Sequence, residues 1–308
     1  MRRATSLLAV LALAGLGLAG CSSDEPDDGS TTALPTAGSD GPFPEVTGAF
    51  GEAPTVTFPD AEPSEELQRE VLEAGAGETA DTGDLVAVDY IGQVWGADAP
   101  FDSSFERGEP SVYVLGTSPL IDGFEAGLTG LTAGSRAVVT IPPSLGYGEA
   151  GNPDIEVTGA DTLVFVVDVV GTWAPDESGQ ADATPTDADV VPVVEGDLGG
   201  PATISVPDGA AEPTEESTTV LATGSGAPVV AGTVVVQYAA TQWDGTQGES
   251  TWENGLPATV DVGAGGPFDG LLGVPVGSRV LVQIPAGQDQ PAIAAVFDVV
   301  GQVSTPPS

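Results

Sequence analysis

The chain has 308 residues with 46 acidic side chains against 6 basic ones, a formal charge of -40, no histidine and one cysteine. Such a balance repels phosphate backbones and argues against any nucleic-acid partner. Without histidine there is no Ser-His-Asp triad, histidine base or histidine-held metal, so catalysis would rest on carboxylates, hydroxyls, arginine, backbone groups or the shape of a pocket.

At the N-terminus, Arg2-Arg3 precedes an apolar run from Leu7 to Leu18 that is too short for a permanent span, followed by Leu18-Ala-Gly-Cys21. The pattern resembles a bacterial lipoprotein signal. It implies removal of residues 1–20, lipidation of Cys21 and a mature protein anchored to the extracytoplasmic face of the cell membrane. An ordinary secretory signal that leaves a free cysteine is the alternative. With no second cysteine, no intrachain disulfide supports the fold. Residues 21–50 are rich in Ser, Thr, Gly, Pro and Asp, which predicts a flexible acidic tether. Asp24, Glu25, Asp27 and Asp28 lack the alternating ligands of a calcium loop.

Pro54–Asp60 alternates as a short edge strand would. Ser64–Leu72 has the composition of a helix, but its period does not decide between helix and strand. From Asp84 to Ile91 the alternation is clean, with Val86, Val88 and Tyr90 on the better core face. Phe101-Asp-Ser-Ser104 and a strand from Ser111 to Leu115 come next. Leu120, Ile121, Phe124 and Leu128 then share one face of a helix about two turns long, with Ser118-Pro119 suited to its cap and first turn. Gly130 and Gly134 permit a reversal into the strand Arg136–Ile141, which must stop at Pro142-Pro143. A glycine-flanked Tyr147, a long loop from Gly148 to Asp161 and a nearly continuous apolar strand from Leu163 to Val170 complete the unit. Short strands with one helix give an α+β domain, an antiparallel β-sheet wrapped over one short helix, across residues 51–174.

Residues 175–198 read as a second linker, and beyond them the chain repeats itself. Val88–Trp95 recurs as Val236–Trp243, Gly134-Ser-Arg136 as Gly277-Ser-Arg279, and Val167-Asp-Val-Val-Gly171 as Phe297-Asp-Val-Val-Gly301. Residues 199–304 are therefore expected to form a second, diverged copy of the fold.

These motifs, in this order over roughly residues 64–172, resemble the FKBP-type peptidyl-prolyl cis-trans isomerase family. The resemblance implies a strand at Ser64–Leu72 and an enzyme that needs no cofactor and no metal, acting on proline-containing polypeptides. Carried over residue by residue, it implies prolyl-pocket walls at Tyr90, Phe101, Leu120, Ile121, Tyr147 and Phe165, a floor at Phe124 and a side closed by Ile155. Asp102 would approach the twisted amide or orient ligands through Tyr90. The Ile121 N–H and the Tyr147 hydroxyl would bond substrate carbonyls. Three positions depart from the family pattern: Phe124 stands where tryptophan is usual, Ser111 where an aromatic is usual, and Asn152 where histidine is usual. In the second copy Phe101-Asp-Ser-Ser104 has become Gly248-Glu-Ser-Thr251, Phe165 aligns with Ala295, and the tyrosine loop has shrunk to residues 286–291. That copy is expected to fold without catalysing. The rival reading is a non-catalytic binding lipoprotein in which neither copy turns over.

Overall fold

A computed structural model describes residues 34–288 and 290–303. The signal stretch, Cys21 and the first part of the expected tether lie outside the described residues. Among those described, no helix is long and apolar enough to cross a membrane.

The first copy opens with a hairpin of β1 (Glu45–Thr47) and β2 (Thr55–Thr57). Its sheet contains β3 (Gln68–Glu73), β4 (Leu85–Val94), β5 (Asp102–Ser103), β6 (Ser111–Val114), β7 (Arg136–Ile141) and β8 (Leu163–Trp173), with the order β3-β7-β8-β4-β5 and β6 on the far edge of β4. All of these pairings are antiparallel. Within Ser64–Leu72 the strand begins only at Gln68, and from there it forms, despite a helical composition, because Gln68–Val71 pair with Ala137–Thr140 of β7.

Two helices belong to this copy, α1 (Ser104–Arg107) and α2 (Asp122–Leu128). The second lies close on β7: a Cβ on Gly123 would fall 2.3 Å from Ile141 Cγ2, and one on Gly127 would fall 2.7 Å from Val139 Cγ1. Two glycines in one short helix lower its propensity, and tertiary packing offsets this. Its N-cap is Ile121, without a side-chain cap bond. Ser118, expected to cap the helix, instead accepts from the Val114 N–H at 2.9 Å and ties the preceding strand to the turn.

The second copy repeats the sheet with β12 (Ser217–Thr223), β13 (Gly232–Gln242), β14 (Gln247–Ser250), β15 (Ala258–Val262), β16 (Arg279–Ile284) and β17 (Ile293–Val303), in the order β14-β13-β17-β16-β12 with β15 on β13. Helix α3 (Thr251–Asn254) matches α1. The counterpart of α2 is reduced to one 3₁₀ turn, Asp269–Leu271, so the sheet is duplicated but the helix it wraps is not.

Both stretches expected to be linkers are corrected by the structure. Residues 34–50 are built into the first copy. Gly38 bridges to Gln68, and Phe43 and Val46 from this stretch join Val56 and Phe58 over Ile91, Val138, Val164 and Val166. Residues 175–198 are built into the second: β9 (Thr184–Pro185) extends the sheet on β12, and β10 (Val193–Glu195) pairs with β11 (Thr203–Ser205). The β1–β2 and β10–β11 hairpins are themselves a repeat, offset by the same 148 residues that separate Tyr90 from Tyr238. Polar composition concealed the hairpins because each buries only its central residues.

One buried ion pair per copy ties hairpin to sheet. Arg136 Nε lies 2.6 Å from Asp168 Oδ1, while its other nitrogens donate to the Gly48 and Glu52 carbonyls at 2.7 Å. Arg279 does the same with Asp298 and the carbonyls of Gly196 and Gly200. Burial pushes the Asp168 carboxyl upward, against the pull of Arg136 and of the Gly51 N–H. The hairpin also explains why β4 is buried on both faces: Val86, Val88 and Tyr90 face the helix, and Ile91 lies under the hairpin residues. Leu85 and Ala87 pack with Trp173 against Val235, Val300 and Val303 of the second copy. Trp173 fits because Gly301 faces it; a Cβ there would fall 2.1 Å from its Nε1.

Candidate functional site

On β4, Tyr90 and Gly92 sit two residues apart on the helix-facing side of the sheet. Gly92 pairs with Phe165 of β8 across one edge and with Asp102 of β5 across the other. The chain then folds back through α1, whose first turn is capped by Ser103 Oγ accepting from the Glu106 N–H at 3.2 Å. Ser104 is fully buried; its Oγ accepts from the Tyr90 N–H at 2.8 Å and donates to Asp89 at 2.7 Å. These bonds fix Asp102 beside Tyr90, and the left-handed Gly108 at the end of α1 turns the chain toward β6.

The result is a three-residue polar network at the edge of an aromatic box. The Tyr90 hydroxyl donates to Asp102 Oδ2 at 2.5 Å and accepts from Arg107 Nη2 at 3.2 Å. Arg107 Nη1 pairs with Asp102 Oδ1, and its Nη2 also donates to Ser111 Oγ at 3.0 Å. The guanidinium carbon lies 5.5 Å from the Tyr90 ring centroid, a cation–π contact. Burial, and then the bond to Asp102, hold the Tyr90 hydroxyl well above the ordinary phenol range, so it stays a proton donor.

The box is a continuous set of ring contacts. Phe124 stands 4.7 Å from Phe165 and 5.7 Å from Tyr90, centroid to centroid, and Phe101 meets Phe165 edge-on at 5.8 Å. Tyr113 meets Phe124 edge-on at 6.0 Å. Tyr113 and Ser111 share a face of β6, so the wall opened by Ser111 is partly supplied by its neighbour two residues on. Leu120, Ile121, Tyr147 and Ile155 are half-buried against the same cluster. All eight expected pocket residues are therefore brought together, with Asp102 at the edge.

Tyr147 stands between two 3₁₀ turns, Pro143–Leu145 and Gly148–Ala150. Among the described residues its hydroxyl makes no hydrogen bond within the chain, and neither does the Ile121 N–H. Asn152 caps the turn Pro153–Ile155 by accepting from the Asp154 N–H at 3.2 Å, and paired backbone bonds to Val157 close the loop. The departure from histidine at this position thus has a local use: it holds up Ile155. Among the described residues no group of three or more carboxylates is placed to hold a metal ion.

Residues 76–170 match the FKBP-type peptidyl-prolyl cis-trans isomerase domain. An FK506-binding protein of Streptomyces anulatus is 35% identical over 119 residues, which cover 39% of this chain and 96% of that protein. The chain belongs to this isomerase family. FKBP-type relatives also include the peptidyl-prolyl cis-trans isomerase FKBP15-1 of Arabidopsis thaliana, 41% identical over 91 residues, or 30% of this chain and 58% of that one. Among solved structures, FkpA from Escherichia coli is 36% identical, covering 35% of this chain and 48% of that chain with a TM-score of 0.32.

Two residues that shape this site were not among those expected from the sequence. Arg107 carried a signal, as one of six basic residues in so acidic a chain, five positions after Asp102. Gly92 carried none. A Cβ there would fall 2.7 Å from Phe101 Cε2 and 2.8 Å from Phe165 Cε1, so the two rings meet only over a glycine.

In the second copy the skeleton of the network survives without its cation. The Tyr238 hydroxyl donates to Glu249 Oε2 at 3.0 Å, and Asn254 Nδ2, in place of Arg107, donates to Glu249 Oε1 at 3.1 Å. Ala240, Gly248 and Ala295 replace Gly92, Phe101 and Phe165, leaving Tyr238 stacked on Phe297 at 5.4 Å and Phe268 against Phe297 at 5.6 Å. The box is gone.

Proposed function

We propose that residues 34–174 catalyse prolyl isomerisation in exported or cell-envelope proteins, with the chain held at the membrane through a lipid on Cys21. The observation that carries the catalytic part is the Tyr90–Asp102–Arg107 network set against four contacting aromatic rings. The export and anchoring part rests on Arg2-Arg3, the short apolar run and Leu18-Ala-Gly-Cys21.

An X-Pro bond crosses a barrier of about 18–20 kcal/mol because the twisted amide loses its resonance. The twisted form is less polar than the planar one, so a water-poor aromatic box favours it, and each tenfold gain needs only about 1.4 kcal/mol of such preference. Phe124 would floor the prolyl ring, with Tyr90, Phe101, Phe165, Leu120 and Ile121 around it and Ile155 closing one side. The free Tyr147 hydroxyl and the free Ile121 N–H would donate to substrate carbonyls.

Asp102 has two carboxylate oxygens, and both are engaged, one by Tyr90 and one by Arg107. An ionised carboxylate accepts and cannot donate to a carbonyl. Asp102 is therefore a positioning residue that holds the Tyr90 ring and hydroxyl, and of the two roles open to it the indirect one is favoured. Lacking Arg107 and the aromatic walls, the second copy serves as a folded, non-catalytic module.

A protease-free isomerisation assay on the full chain tests this. Tyr147→Phe should lower kcat/KM by about tenfold, the worth of roughly one hydrogen bond made to the twisted amide. Asp102→Ala should lower it by a similar factor, and Tyr238→Phe should leave it unchanged. Equal losses from Tyr147→Phe and Tyr238→Phe would place activity in both copies, and no acceleration by the parent chain would end the catalytic reading.

A further inference from the structure

Beside the aromatic box runs an open cleft of about 730 Å³ that uses two of the same walls, Phe101 and Ile155. The lining is mixed: Val94, Ala97, Ala99, Pro100 and Pro153 are apolar, and Asp154, Glu156 and Asp161 bring carboxylates. The shared walls make the cleft the continuation of the prolyl pocket. A residue next to a proline held over Phe124 would lie near Phe101 and Ile155, which line both spaces.

The charge of the cleft is uncompensated from within. Four arginines lie among the described residues, and none reaches it. Arg136 and Arg279 are buried with Asp168 and Asp298, Arg107 is held by Asp102, Tyr90 and Ser111, and Arg69 donates to the Gly127 and Thr129 carbonyls. Of the three carboxylates, Asp161 accepts from the Thr158 N–H at 2.7 Å. Asp154 and Glu156 are exposed and form no ion pair among the described residues. A positively charged ligand group would therefore meet no competing protein cation there. A side chain with a long aliphatic stem and a cationic head suits both kinds of lining residue, the stem against the apolar ones and the head near the carboxylates.

We propose that this cleft selects substrates in which proline is flanked by arginine or lysine. The inference rests on the isomerase site described above and adds its substrate class. Each exposed ion pair is worth about 1.5- to 5-fold, so two or three carboxylates acting together should give a preference of about tenfold, most of it lost to screening at high salt.

The probes are proline tetrapeptides carrying Arg, Leu or Glu on either side of the proline, assayed with the full chain at 20 mM and 500 mM NaCl. At low salt kcat/KM should follow Arg > Leu > Glu at one of the two positions, with an Arg-to-Glu ratio of about ten or more that shrinks at 500 mM. In the double variant Asp154→Asn/Glu156→Gln the ratio should fall toward one. Equal rates for the three peptides, or a ratio insensitive to salt and to the double variant, would overturn the proposal while leaving the isomerase intact. Should no peptide be isomerised, the isomerase reading falls, and calorimetric binding of the same peptides decides the cleft separately. Tighter binding of the arginyl peptide supports the cleft, and indistinguishable binding of all three rejects it.

Discussion

Replacing Gly92 by alanine tests the claim that the site depends on two rings meeting over a bare backbone. The added methyl would lie 2.7 to 2.8 Å from Phe101 and Phe165 atoms, at least about 0.6 Å short of the 3.4 Å at which ordinary contact begins. The rings are flanked by Phe124 and Tyr90, so they yield only by spreading the box. Overpacking of this kind costs about 1–3 kcal/mol, and removing a glycine from a strand returns about 0.5–1 kcal/mol. A net destabilisation of about 1 kcal/mol follows, small enough for the protein to remain folded. The effect on rate is larger in proportion, since a displacement of about 1 Å can cost about a hundredfold. We therefore expect kcat/KM for a leucyl-prolyl peptide to fall about tenfold, measured beside the denaturant midpoint to separate the two effects. Adding Phe101→Leu removes one of the two contacts and leaves that with Phe165, so the double variant should lose less relative to Phe101→Leu than Gly92→Ala loses relative to the parent. Activity of Gly92→Ala within twofold of the parent would show that the Phe101–Phe165 contact is not part of the working pocket.

Two further outcomes are expected. Arg136→Met leaves Asp168 buried and unpaired and frees the β1–β2 hairpin; stability should drop by about 3–5 kcal/mol in denaturant titration, and Arg136→Met/Asp168→Leu should recover much of it. Alkaline pH should act through two phenols: burial and then a carboxylate acceptor hold Tyr90 above the ordinary range and push Tyr238 up to about 12. Because the folded values exceed the unfolded value of about 10, their stabilisation is complete below pH 10 and is lost as pH rises through the folded values. Phenolate absorbance of the native protein should therefore lag behind that of the unfolded chain between about pH 10 and 12, and Tyr90→Phe should remove part of the lag; coincident curves would refute the assignment.

What the sequence disclosed and what it concealed follow from how far each residue's constraint reaches. Tyr90, Phe101, Asp102, Phe124, Tyr147 and Phe165 were named through the family resemblance, since local spacing groups only Val86, Val88 and Tyr90 on one strand face and Leu120, Ile121, Phe124 and Leu128 on one helix face. The Leu120–Leu128 stripe placed α2 correctly, but its cap did not follow, since Ser118 was taken by a strand N–H that no local pattern reveals. The hairpins at residues 45–57 and 193–205 were hidden for a different reason. Each buries only its middle pair, Val46 and Val56 or Val194 and Ile204, and a three-residue strand with one inward side chain has no period to detect.

The internal duplication could have revealed them, and it also shows how the site was lost in one copy. Aligned at an offset of 148, Glu45–Asp60 and Val193–Asp208 share Gly48 with Gly196, Gly51 with Gly199, and Pro59-Asp60 with Pro207-Asp208. The paired glycines lie in the turn that delivers two carbonyls to a buried arginine, so both copies retain them whatever happens at the pocket. At the pocket the changes go together. Once Phe101 and Phe165 become Gly248 and Ala295, nothing crowds a methyl at the Gly92 position, and Ala240 stands there. Once the box has no prolyl ring to hold, the carboxylate needs only a neutral partner, and Asn254 replaces Arg107 while the tyrosine–carboxylate bond persists at 3.0 Å. The hairpin and its arginine belong to the fold, whereas Gly92, Phe101, Arg107 and Phe165 stand or fall together as the site. Restoring a single member, such as Asn254→Arg, should therefore recover no isomerase activity in the second copy.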